Sequence, residues 1–92
     1  MKNVMNKKEY ELAVYGANRG NVTSMCSLGR AYEEGVKGIL EPDIEQAINW
    51  YSMCIDSGDE YSISVIAAID RLKILRREGN ESATKVLNAF NI

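Results

Sequence analysis

Ninety-two residues, 46% apolar and 26% charged, fit one small soluble-type globular domain, and a single proline excludes collagen-like or proline-rich disorder. Eleven basic against thirteen acidic residues leave a net charge of −2, too weak a field to draw in a polyanion, so nucleic acid is not an expected partner. The longest apolar run, Ile63 to Ile69 with Ser64 inside it, is far short of the roughly 20 residues of a membrane span, and Lys2, Lys7, Lys8 and Glu9 precede no apolar stretch; no membrane partner or export is expected, and the cytoplasm is the expected compartment.

The first helix is expected over about residues 6–18, with Tyr10, Ala13, Val14 and Ala17 along one face. Gly20 stops it and Asn21 caps the next, whose apolar face Val22, Met25, Leu28, Gly29 and Tyr32 recurs at helical spacing until Gly35. This second helix ends in Glu33-Glu34, against its own dipole; contact with a partner and a solvated end both account for that placement.

Gly35 to Pro42 holds two glycines and the only proline and reads as a loop, with Val36, Ile39 or Leu40 tucked beneath it. Asp43 then caps a third helix, with Glu45 and Gln46 in its first turn. Its stripe is Ile44, Ala47, Ile48, Tyr51, Cys54 and Ile55. Trp50 and Met53 lie off that stripe, so this helix has two apolar faces and is expected to lie between neighbours. After Gly58-Asp59 a fourth helix is expected from Tyr61 to Arg77, with Val65, Ile66, Ile69, Leu72 and Leu75 inward and a basic end that suits the dipole. After Gly79-Asn80 a fifth, over about 80–90, carries Ala83, Val86, Leu87 and Phe90 on one side. Small residues at Gly29 and Ala47 permit close approach of the second and third helices, with Tyr32, Trp50 and Tyr51 filling the space around them.

The expected fold is therefore all-α: a short right-handed α-solenoid or small bundle of about five antiparallel helices, one domain across residues 1–92. Gly20-Asn21 and Gly58-Asp59 are 38 residues apart, within the range of helical-hairpin repeats, whereas the next interval is 21. One complete hairpin is expected between a degenerate helix and two closing helices. Cys26 and Cys54 read either as two reduced, packed cysteines or as a disulfide between the helices of the hairpin; two Cys and no His exclude a structural zinc site.

These residues resemble the Sel1-like repeat, a relative of the tetratricopeptide repeat. Leu28-Gly29-x-x-Tyr32-x-x-Gly35, Asp43-x-x-x-Ala47-x-x-Trp50-Tyr51 and Gly58 match its pattern, with Ser24 and Cys54 where the pattern has Ala. The complete repeat covers about residues 21–58. The degenerate helix 6–18 and the closing helices 61–77 and 80–90 match less, and the loop before Asp43 is two residues longer than the pattern. The resemblance implies a protein-binding adaptor whose first hairpin helix lines a concave surface, here Thr23, Cys26, Arg30 and Glu33 with Glu34 at the rim; the alternative is a solvated helix face. Secreted members of the family hold each hairpin by a disulfide, but Cys26 and Cys54 each stand one position away from those cysteines, so the bond does not carry over.

A single repeat is too short for a long superhelical groove. The expected function is non-catalytic binding of one partner protein as a compact inhibitor, resembling parts of bacterial immunity proteins. Glu33, Glu34, Glu41 and Asp43 around the hairpin tip would face a basic toxin or enzyme, or else form a solvated loop. On that reading, Glu33→Lys with Glu34→Lys abolishes capture without lowering the melting temperature. The alternatives are a regulatory adaptor, or a self-associating scaffold or homodimer paired through Trp50, Met53 and Phe90 at open ends of the array. With no His and no nucleophile motif, acid–base and covalent catalysis have no seat, so no catalytic residue, cofactor or metal is assigned and an enzyme is not expected.

Overall fold

Asn6, Asn21, Asp43, Ser62 and Asn80 each sit in extended backbone, with a side-chain oxygen accepting from the backbone N–H three residues on. Each satisfies an N–H that a helix start would otherwise leave unpaired, and each opens a helix. The computed structural model, which describes residues 5–92, shows α1 (Lys7–Asn18), α2 (Val22–Glu34), α3 (Ile44–Ser57), α4 (Ile63–Arg77) and α5 (Glu81–Ala89). The fold is all-α. Between α2 and α3 the loop closes on itself through an antiparallel bridge of Val36 with Leu40, which buries Val36 and leaves Ile39 exposed.

α2 packs most extensively against α3, and α3 touches both α4 and α5, so α3 does lie between neighbours. α1 packs on α2 alone. Three side-chain bonds fix how the hairpin α2–α3 sits on α4–α5. Ser64 Oγ donates to Thr23 Oγ1 at 3.0 Å, near the N-termini of α4 and α2, while Arg71 Nε donates to Glu33 Oε1 at 3.1 Å further along both helices. α2 and α4 therefore run in the same direction. Ser82 Oγ donates to Glu45 Oε1 at 2.8 Å, joining the first turns of α5 and α3. These three bonds span 41, 38 and 37 residues, close to the interval between Gly20 and Gly58. α4 and α5, read from the sequence as closing helices, thus occupy the place of a second hairpin layer.

The core centres on the α2–α3 contact, where Tyr51, Cys54 and Ala47 are fully enclosed. A Cβ on Gly29 would stand 2.6 Å from Tyr51 Cε1, so the ring packs directly on the bare backbone of α2. Gly58, between α3 and α4, has an ordinary φ of −100°. Its requirement is space: a Cβ there would meet Val65 Cγ2 at 2.5 Å and Val22 Cγ1 at 2.9 Å.

α4 departs from expectation at its start and along its face. Asp59 Oδ1 accepts from Tyr61 N–H at 2.9 Å and holds Tyr61 in a turn, so the helix begins at Ile63 instead of Tyr61. Its buried stripe is Val65, Ala68, Leu72 and Leu75. Ile66 is exposed, contrary to its expected inward position, because α4 is rotated to bury the smaller Ala68 against α3 and α5. Trp50 and Phe90 are half-buried against the core and not left open as expected, whereas Met53 is exposed. Among the described residues no helix is long and apolar enough to cross a membrane.

Candidate protein-interaction groove

Two helices lying side by side in the same direction leave a furrow along their outer faces, and between α2 and α4 it forms a groove of about 330 Å³. Cys26, Arg30, Glu33 and Glu34 supply the α2 wall, and Ala67, Asp70 and Arg71 the α4 wall. A wider depression of about 510 Å³ lies beyond the Arg30–Glu34 ridge, against Met5 and Glu9. That depression lies between the start of α1 and the outer face of α2, whereas the α2–α4 groove has helix for both walls.

Arg30 and Glu34 sit four residues apart on α2 and pair at 3.6 Å, the weak geometry of an exposed helix pair. Glu33 does something different. It accepts from Tyr51 Oη at 2.7 Å and binds Arg71 through both carboxylate oxygens, joining α2, α3 and α4. Its side chain is only 11% exposed. The forked guanidinium matches a carboxylate with two parallel bonds, and Tyr51 needs an acceptor because its hydroxyl is buried. Burial, with the Glu33 carboxylate beside it, pushes the Tyr51 phenol well above its ordinary range. The bond to Glu33 likewise raises the Arg71 pKa.

Beneath the groove Cys26 and Cys54 face one another as free thiols. Donation from Cys54 to Cys26 pushes the Cys54 thiol up and lowers Cys26, with Arg30 adding to the lowering. Of the two sequence readings, this arrangement is that of reduced, packed cysteines. Among the described residues no three His, Cys, Asp or Glu side chains converge on a metal-sized site, and no buried side-chain nitrogen or oxygen lacks a partner.

The seven residues marked as candidate partner contacts in the sequence fall into three groups. Arg30 is exposed on the groove and Glu34 half-buried at its ridge, with Thr23, bonded to Ser64, at the N-terminal end of the same α2 face. Cys26 and Glu33 also reach the groove, but α4 covers them: Cys26 is a buried core residue and Glu33 is the clamp just described. They are corrected from contact residues to structural ones. Glu41 and Asp43 are exposed but do not line the groove, and Asp43 is committed to capping α3, accepting from Gln46 N–H at 3.2 Å. The acidic tip is therefore not one patch. Ala67, Asp70 and Arg71 escaped the sequence reading, because only the stacking of α4 on α2 brings them there.

Among curated proteins the chain is similar to the ERAD-associated E3 ubiquitin-protein ligase component HRD3A of Arabidopsis thaliana, with 27% identity over 62 residues. The similarity covers 67% of this chain and 9% of that protein. No family model matches the chain, and no solved structure matches it significantly.

Proposed function

We propose that this chain is a non-catalytic protein-interaction module that holds one partner protein along the α2–α4 groove. The observation that carries this reading is the groove itself: two parallel helices present exposed Arg30 and Asp70 on facing walls, with the small Ala67 leaving room between them, while the Glu33 clamp fixes their spacing. Similarity to a component of a ligase assembly supports the same class of role. The longest dimension of the molecule is 35 Å, so the surface suits a single site on one protein better than a long chain wrapped in a superhelix. In the narrower form of the proposal the partner is a basic toxin or enzyme, and binding neutralises it. Exposed Leu12 and Tyr15, three residues apart on α1, favour a second reading in which this end of the stack pairs with another helical layer, as in an adaptor or self-associating scaffold.

The test is affinity capture from the native host with identification of the bound protein by mass spectrometry, repeated with Arg30→Glu and with Ala67→Arg, which fills the groove. Both positions are at least partly exposed, so folding should survive the changes. Loss of the partner from Ala67→Arg is the expected result, and Arg30→Glu should change capture of the same partner, strengthening it where that partner is basic. Undiminished capture by Ala67→Arg would remove the groove from consideration.

A further inference from the structure

Charge in this chain is segregated. Between Lys37 and Arg71 the sequence carries Glu41, Asp43, Glu45, Asp56, Asp59, Glu60 and Asp70 and no basic residue. The fold places part of that acidic stretch, the turn between α3 and α4, next to the most exposed apolar side chains of the molecule. Tyr61 is 83% exposed and Ile63 84%, with Ile66 at 47% one turn further on. The inward stripe of α4 is already filled by Val65, Ala68, Leu72 and Leu75, and none of the described residues covers them.

This apolar corner is continuous with the groove. Ile63, Ile66, Ala67 and Asp70 follow the i, i+3, i+4, i+7 spacing of one helix face, and Ala67 and Asp70 are groove wall. Three large apolar side chains exposed together amount to a patch on the order of 400 Å², the size that marks a functional surface more often than scattered exposure. Its rim is acidic at the turn, with Asp56, Asp59 and Glu60 exposed, and exposed Asp70 continues it onto the groove wall, where the cations Arg30 and Arg71 are themselves paired with Glu34 and Glu33.

We infer that the α3–α4 corner anchors a basic amphipathic segment of a partner protein, whose apolar side chains cover Tyr61, Ile63 and Ile66 and whose Lys or Arg side chains lie against Glu60 and Asp70. The inference rests on the reading of the chain as a protein-binding module and adds the anchoring end of the groove and the chemistry of the partner. Charge complementarity selects this occupant. Nucleic acid and an anionic membrane surface carry the wrong sign for the rim. A second copy docked corner to corner about a twofold axis would bring the same acidic rim against itself.

The experiment uses the isotope-labelled full chain and two synthetic probes: a Leu/Lys amphipathic peptide with Leu at helical spacing, and the same peptide with every Lys replaced by Glu. Backbone resonances of residues 59–70 should shift with the Lys peptide, which should bind about tenfold or more tighter than the Glu peptide and weaken with added salt. Ile63→Ser with Ile66→Ser should weaken the Lys peptide about tenfold with the melting temperature held, since both side chains are exposed. Glu60→Lys with Asp70→Lys should reverse the preference between the peptides. Equal binding of both peptides, shifts centred on Leu12 and Tyr15, or indifference to these variants would overturn the inference. So would a dimer, seen by light scattering, that Ile63→Ser with Ile66→Ser converts to monomer, because the corner would then hold a second copy. Such failures leave the groove reading standing if Ala67→Arg still abolishes capture of the natural partner; that reading falls on its own if it does not.

Discussion

Charge reversal at Glu33 should unfold the molecule more readily than it disturbs any surface. Glu33→Lys removes the acceptor of Tyr51 Oη and places a second cation against Arg71. Tyr51 is fully enclosed, so its orphaned hydroxyl costs about 1–3 kcal/mol. Breaking one partner of a buried ion pair costs about 3–5 kcal/mol, but the Arg71 side chain is 39% exposed and can turn toward water, so about 1 kcal/mol is a fairer share. The total is about 3 kcal/mol, and a domain of this size loses about 4–8 °C of melting temperature per kcal/mol, so a fall of about 15 °C is expected. Glu33→Gln keeps an acceptor for Tyr51 and gives up the charge and one of the two bonds to the half-exposed Arg71, so it should cost about 1 kcal/mol. Glu34→Lys disrupts only the long, partly exposed pair with Arg30 and should cost about 1 kcal/mol or less. Thermal unfolding followed by circular dichroism gives the order Glu34→Lys, Glu33→Gln, Glu33→Lys. A Glu33→Lys protein melting within about 3 °C of the wild type would refute the clamp. The sequence-based expectation that Glu33→Lys with Glu34→Lys would act on capture alone is accordingly withdrawn, because the first of the two changes strikes the fold.

Gly29→Ala should gain about 1 kcal/mol of helix propensity and lose about 3 kcal/mol to overpacking against the Tyr51 ring, a net loss of about 2 kcal/mol. In a Tyr51→Leu background most of that loss should vanish, and additive effects in the double-mutant cycle would show that the ring is not what Gly29 accommodates. The raised phenol of Tyr51 gives an alkaline dependence of defined sign. Its contribution is fully present below the unfolded value of about 10, and is lost as pH rises from there toward the folded value, because only the unfolded chain gives up the proton, at up to about 1.4 kcal/mol per pH unit. Denaturant unfolding between about pH 10 and 11 should therefore fall more steeply for the wild type than for Tyr51→Phe; parallel curves would count against the burial argument. Finally, α1 packs on α2 alone and buries only Ala13 and Ala17 fully, so its amides should exchange at least about tenfold faster than those of α3. Equal protection of the two helices would contradict that picture.

The hairpin α2–α3 was legible because its signals are local. Asn21 and Asp43 announce helix starts, Gly35 and Pro42 bound the loop, and Gly29 and Tyr51 meet across the hairpin. The interior of α4 was not legible in the same way. Apolar residues surround this helix, so spacing alone admitted a stripe through Ile66 and Ile69 as readily as one through Ala68, and the choice was made by the packing of α3 and α5. Of the residues singled out on α2, Cys26, Arg30, Glu33 and Glu34 all reach one groove. Which of them a partner could touch depends on α4. The pairing of Glu33 with Arg71 spans 38 residues and has no local signature, so an acidic pair set against the helix dipole read as a binding feature when one of its two members is a clamp.

That clamp bears on binding even though a partner would scarcely touch it. Thr23 with Ser64 and Glu33 with Arg71 tie α2 to α4 at two levels, so the groove walls are set before any partner arrives. A surface already ordered does not spend association free energy on fixing its own helices, and this matters most where the contact area is small. At one end of the walls lie the exposed apolar residues of α4, at the other the Arg30–Glu34 ridge. On the proposed reading, an acid-rimmed apolar anchor at one end and the Arg30–Glu34 pair at the other would set the direction in which a segment lies. Orientation of the bound segment, more than total buried area, is then the property through which this short stack would distinguish its partner.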